Sequence, residues 1–266
     1  MRKSVLLPAA AVAGGVVGLV VRRVYLANGF EAGTGLPIAG APSLWAMAIV
    51  TVVVLGLLVA LSCGKHKNYT QCYTGAFYSE HTVCIAGMLA GAVLLGVGGF
   101  LALANWFSSP SLGLMEKPLR RELSVAWLYL GIFCLLAAAG IYFVTQKMRR
   151  KEPILTAWAA MPTLAGCLWV VANYYDHWAE EPVLGHYAIP MLATGLSMLG
   201  CMMIGAMGFD KARVSTTLAF SLSGASVCIM ALADGLNWAN TAILLGMVFY
   251  QLSMASALIA NGDRAP

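Results

Sequence analysis

Long apolar runs separated by short polar stretches dominate the chain. Eight such runs can be marked, at roughly 4–21, 44–61, 83–104, 125–144, 154–172, 188–208, 216–233 and 241–260. None contains Asp, Glu, Lys, Arg or His. Lipid offers no hydrogen-bond partners to a backbone, so a chain crosses a bilayer as helices that satisfy themselves, each about 20 residues long. Strands of a membrane barrel would instead alternate polar and apolar residues over short segments, and nothing here does. The pattern predicts an all-α integral membrane protein, a polytopic bundle of about eight transmembrane helices forming one domain over 1–266. The last two runs are separated only by residues 234–240 and must form a tight hairpin.

Composition supports this class. The 266 residues are 60% hydrophobic and 10% charged, against about 25% charged in a soluble domain. This excludes an ordinary soluble enzyme, a disordered chain and a nucleic-acid-binding domain. The start, Met1-Arg2-Lys3 before an apolar run, resembles a signal peptide. The run is long and lacks a convincing small-residue cleavage site, so it reads as an uncleaved first span.

Charge placement predicts orientation. With the amino terminus inside, the inner segments carry Arg2, Lys3, Lys65, Lys67, Lys147, Arg149, Arg150, Lys151, Lys211, Arg213 and Arg264. The outer segments carry only Arg22, Arg23, Lys117, Arg120 and Arg121. The excess of basic residues on one side places both termini in the cytoplasm, in the manner of a prokaryotic cytoplasmic-membrane protein. Lys117 to Arg121 is the segment that fits this least well.

Three outer helix ends look alike: Ala102 to Asn105, Val170 to Asn173 and Ala231 to Asp234, each followed by aromatic residues. They suggest helical hairpins in tandem. Within the runs, Gly14-x-x-x-Gly18 and Gly87-x-x-x-Gly91 have the spacing that lets membrane helices approach closely. Thr217, Ser221, Gly224, Cys228 and Ala231 form another small face. Pro162 is expected to bend its helix. Gln251, the most deeply placed carboxamide, is expected to bond to another helix.

Two clusters carry candidate chemistry. At the outer face Asn105, Asn173, Tyr174, Asp176, His177, Asp234, Asn237 and Trp238 form a tentative binding site for a small polar or cationic solute, with Tyr175, His186 and Asn240 nearby. Its carboxylates would attract positive charge. The competing reading is an interfacial aromatic belt, with Arg22 or Arg23 neutralising a carboxylate and making the cluster structural. At the inner face Cys63, His66, Cys72, His81 and Cys84 contain two Cys/His pairs that mimic zinc ligands, for which four converging donors are needed. Incidental thiols are the alternative. Met191, Met198 and Met202, with Cys201, offer soft sulfur of the kind that suits Cu(I), but Met equally fills core gaps. The seven cysteines imply no disulfide framework.

The chain has no His-Glu-x-x-His, Gly-x-Ser-x-Gly, Walker or dinucleotide motif. All four histidines fall in loops or at helix ends, which disfavours haem. No cofactor is expected. The expected partners are the lipid bilayer, a small polar or cationic solute and another membrane protein, with no nucleic acid. The leading functional expectation is a non-enzymatic small-solute permease or binding component. An interaction or regulatory subunit of a membrane complex comes second, and a membrane-embedded enzyme acting on lipid third. The last would use Tyr175, Asp176 and His177 or the Cys63–Cys84 loop.

Overall fold

The computed structural model describes residues 3–31, 34, 36–64, 73–79, 81–108, 118–152, 154, 156–178, 184–209 and 213–262. Over these residues the protein is an all-α bundle. Its long helices are α1 (Lys3–Asn28), α2 (Pro42–Ser62), α4 (Thr82–Ser108), α5 (Pro118–Arg150), α6 (Thr156–Trp178), α7 (Leu184–Ala206), α8 (Val214–Ala231) and α9 (Trp238–Gly262). A five-residue helix, α3 (Tyr73–Phe77), precedes α4.

Seven helices are long and apolar enough to cross a membrane, which marks an integral membrane protein. The fifth expected run forms a helix, α6, but is not among the seven. Pro162, Asn173 and three tryptophans dilute its apolar character. The helices also outlast the apolar runs. The first run ends before Arg22, yet α1 continues to Asn28 and carries Arg22 inside its candidate span. Asp234 likewise lies at the end of a candidate span.

Helices α4 to α9 follow one another around a ring, each packed on its predecessor, and α9 closes the ring on α4. Short connections make successive helices antiparallel, so the ring consists of three hairpins in tandem. Trp169, Leu95, Leu130, Cys134, Ile204 and Met247 are among its fully buried residues. The α1–α2 hairpin lies outside the ring, with α1 packed on α8 and α9.

The glycine spacings serve packing within the chain. Where α4 crosses α9, a Cβ on Gly91 would stand 3.0 Å from Gly246 O and Tyr250 N, and one on Gly246 would stand 2.9 Å from Leu95 N. The two backbones approach to near contact, which is how membrane helices associate when lipid competes equally for apolar side chains. Gly14 and Gly18 likewise face Val54 and Met230. Helix α8, whose small face was legible, is buried on nearly every side.

A proline inside a helix leaves a backbone carbonyl without its i+4 donor. Pro162 frees that of Trp158, which faces Gly140 on α5; a Cβ there would lie 2.6 Å from it. Pro190, inside α7, frees that of His186.

Candidate functional site

The outer cluster is built from one end of the bundle, where α1, α4, α6 and α8 finish and α7 and α9 begin. Helix α8 tightens into a 3-10 turn, Leu232–Asp234, and stops at Gly235, whose φ of +63° is the left-handed conformation glycine adopts without strain. Asp234 therefore sits at a helix carboxyl end, where the helix dipole disfavours a negative charge. Arg22 supplies the compensation. Its Nε and Nη2 donate to Asp234 Oδ1 at 3.0 and 2.5 Å. Its remaining donors reach Gly185 O at 2.9 Å and His186 O at 2.8 Å. The second is the carbonyl that Pro190 leaves without a helical donor. One guanidinium thus joins α1, the start of α7 and the end of α8. Its side chain is 1% exposed and that of Asp234 is 5% exposed.

Aromatic packing encloses this junction. Phe30 stacks against His186, with ring centroids 4.0 Å apart, and against Tyr25 at 5.1 Å. Phe30 is held by a short reversal of the α1–α2 connection, in which Glu31 N donates to Leu36 O and Ile38 N to Gly29 O. The described part of this connection thus lays Phe30 against His186 near the beginning of α7.

A second junction lies across the ring. Trp169 Nε1 on α6 donates to Asn240 Oδ1 on α9 at 2.8 Å, and Asn240 Nδ2 donates to Asn173 Oδ1 at 3.3 Å. Asn237 is the amino-terminal cap of α9, its Oδ1 accepting from Asn240 N at 2.8 Å. Deeper in the bundle, Gln251 Nε2 donates to Ser197 O and Oγ on α7, both at 2.8 Å. That is the interhelical bond expected of it.

Asn173, Asn237 and Asn240 are thus linked by hydrogen bonds, while Asp234 is bonded to Arg22. Tyr174 and Trp238 are exposed, Trp238 to 83%, as a membrane-interface belt would have them. Asn105 is exposed on α4. The side chains of Tyr175, Asp176 and His177 lie outside the described residues. Sequence reading did not single out Trp169 as the partner of Asn240. The signal for Arg22 was available: buried Leu7, Ala11, Gly15, Gly18, Arg22, Tyr25 and Gly29 recur at steps of four and three along α1, which is the one-face spacing of a packed helix.

At the opposite end, Cys84 is buried and its thiol donates to Ser253 O on α9 at 3.2 Å. Cys63 is exposed just beyond α2. His81 starts the chain into α4, its backbone N donating to Ser79 Oγ at 3.2 Å. His66 and Cys72 lie outside the described residues. Among the described residues no three His, Cys, Asp or Glu side chains gather as a metal site. The sulfur atoms pair within the bundle, Cys167 with Met198 at 3.5 Å and Cys201 with Met247 at 3.8 Å. Met202 faces outward.

Comparison with known protein families, with characterised proteins and with solved structures finds nothing that matches this chain.

Proposed function

We propose that the protein is a non-enzymatic interaction or regulatory subunit of the membrane, working as a rigid bundle rather than as a solute pathway. The observation that carries this reading is the Arg22–Asp234 junction. The carboxylate best placed to attract a cation is already neutralised by a buried guanidinium, and a charge so paired is poor bait for a solute. The carboxamide of Asn240 is likewise bonded to both Asn173 and Trp169. Both termini are assigned to the cytoplasm, on the balance of Lys and Arg between the two sides.

The alternative is a small-solute permease or binding component. It is favoured by the exposed Tyr174 and Trp238 at the same end, and it requires the Arg22–Asp234 pair to open. One experiment separates the two. The full chain is purified in mild detergent and its thermal stability measured against small solutes and cations, beside co-purification of membrane partners on a tagged copy. A ligand that binds only the folded state raises the melting temperature. The subunit reading expects no solute shift and a stoichiometric membrane-protein partner. A solute-dependent rise that disappears in Asp234→Asn would transfer the assignment to a solute binder.

A further inference from the structure

The last turn of α5 carries Lys147, Arg149 and Arg150, with Lys151 immediately after it. These four cations are not equivalent. Lys147 is bonded to the Glu152 carboxylate. Lys151, at φ +58° where the helix ends, places its ammonium 4.6 Å from the centre of the Tyr78 ring. Arg149 and Arg150 are exposed, and among the described residues neither forms a salt bridge with a carboxylate. Arg150 lies close enough to Glu152 to help lower its pKa, but that carboxylate is bonded to Lys147. Both guanidiniums stay open at this end of α5.

What lies beneath them is apolar. Residues seven apart share a face of a helix. Two turns below Arg149 is Tyr142, and two turns below that is Leu135. Phe143 and Leu136 stand in the same relation to Arg150. These four are 40–48% exposed. Phe143 is braced by Trp158 of α6, with ring centroids 4.9 Å apart, and Tyr142 lies edge-on to Phe143 at 5.8 Å. The stripe descends inside the candidate span Val125–Arg150, so its occupant is set in the hydrocarbon. The occupant's head must be anionic, because a guanidinium pairs with a phosphate through two parallel, charge-assisted bonds. An acidic protein would meet the charges but not the stripe, and a neutral lipid would meet the stripe but not the charges.

We infer that Arg149 and Arg150, above the Leu135–Tyr142 and Leu136–Phe143 stripe on α5, form a binding site for one anionic phospholipid, with phosphate on the guanidiniums and an acyl chain along the aromatic and leucine side chains. The site does not depend on which leaflet this end faces, and it stands apart from the subunit role proposed above. Basic residues at a membrane surface attract anionic lipid individually and weakly. Two adjacent arginines above a chain-binding face convert that attraction into a site.

The test uses the full chain in neutral detergent, as wild type, R149Q/R150Q and R23Q. R23Q removes an exposed charge at the other end of the bundle. Retained lipid is counted by native mass spectrometry, and melting temperature is followed during titration with phosphatidylglycerol, phosphatidylcholine or soluble glycerol phosphate. Wild type and R23Q are expected to retain one phosphatidylglycerol and to be stabilised by it alone. The double variant is expected to bind it about tenfold or more weakly. Equal retention in the double variant, or loss in R23Q as great as in it, overturns the site. Stabilisation by glycerol phosphate equal to that by phosphatidylglycerol overturns the role of the acyl chain. Should the double variant not fold, R149Q and R150Q singly carry the same test, each with a weakening of about threefold.

Discussion

The ring α4–α9 and the hairpin α1–α2 are held in the membrane by different means. In the ring, backbones meet directly, as at Gly91 and Gly246, and 78% of the α9 membrane window is buried. In the hairpin, α1 shares such packing on one face, where a Cβ on Gly15 would stand 2.9 Å from Ser226 O of α8, but α2 has little of it. Only 17% of the α2 window is buried, and its Val52 and Val53 project outward. What fastens α1 is the small-residue stripe that leads to Arg22 and ends on Asp234, Gly185 and His186. Apolar contact alone is weak glue in lipid, since the alternative neighbour is equally apolar. The ring answers with close packing at every turn. The hairpin answers with one small-residue face of α1 and, at its end, a charged junction that has several acceptors.

That contrast can be broken most sharply at Asp234. Asp234→Leu leaves a buried guanidinium without its counter-charge and is expected to cost about 3–5 kcal/mol. Thermal denaturation in detergent reads this, and proteolysis should then enter the α1–α2 hairpin before the ring. The double variant Arg22→Met/Asp234→Leu removes both charges and should recover much of the loss. It should not recover all of it, because the Gly185 and His186 carbonyls lose the bonds that Arg22 donates, at about 1–3 kcal/mol. Full recovery would mean that the carbonyl contacts contribute nothing.

A smaller effect is expected from the ring. Gly91→Leu forces α4 from α9 and should cost up to about 3 kcal/mol, lowering the melting temperature of the whole bundle without releasing α1 first. Selective exposure of α1 in this variant would show that the two units are not fastened independently.

The smallest effect belongs to the α5–α6 turn. Its hydrogen bond from Lys147 and the nearby Lys147 and Arg150 charges hold the exposed Glu152 carboxyl below its ordinary value of 4.5. A carboxyl lowered in the folded state stabilises above its unfolded pKa and loses that contribution as pH falls through the folded one. The melting temperature should therefore decline slightly more below pH 4.5 in the wild type than in Glu152→Gln. A pH profile identical in both would remove the pair from the account of this end.

The bundle was legible in the chain because burial in lipid is a property of each segment by itself. The eight runs became eight long helices, and Gly87/Gly91 and Gln251 made the close packing and the interhelical bond their types suggest. Helix ends were less legible. Once a helix is established, polar residues such as Gln146 to Arg150 prolong it at no cost in lipid, so α5 overran its apolar run. The five-residue α3 has too few residues to produce a period. At the outer cluster, residue type showed which groups are polar but not which face each other. Arg22 and Asp234 are 212 positions apart, and no local pattern encodes such a pairing. The stripe on α1 distinguishes Arg22 from Arg23 only when followed to its end.

The separation of Arg22 from its acceptors has a consequence for biosynthesis. Helix α1 is made before α7 and α8, and Gly185 follows Arg22 by 163 residues and Asp234 by 212. Throughout that interval the guanidinium has none of its final partners and must stay near the interface, by reaching outward or in the care of the insertion machinery. Helix α1 is thus made long before it is secured. A nascent chain truncated before residue 185 would hold α1 without its lock, however completely that helix had been inserted.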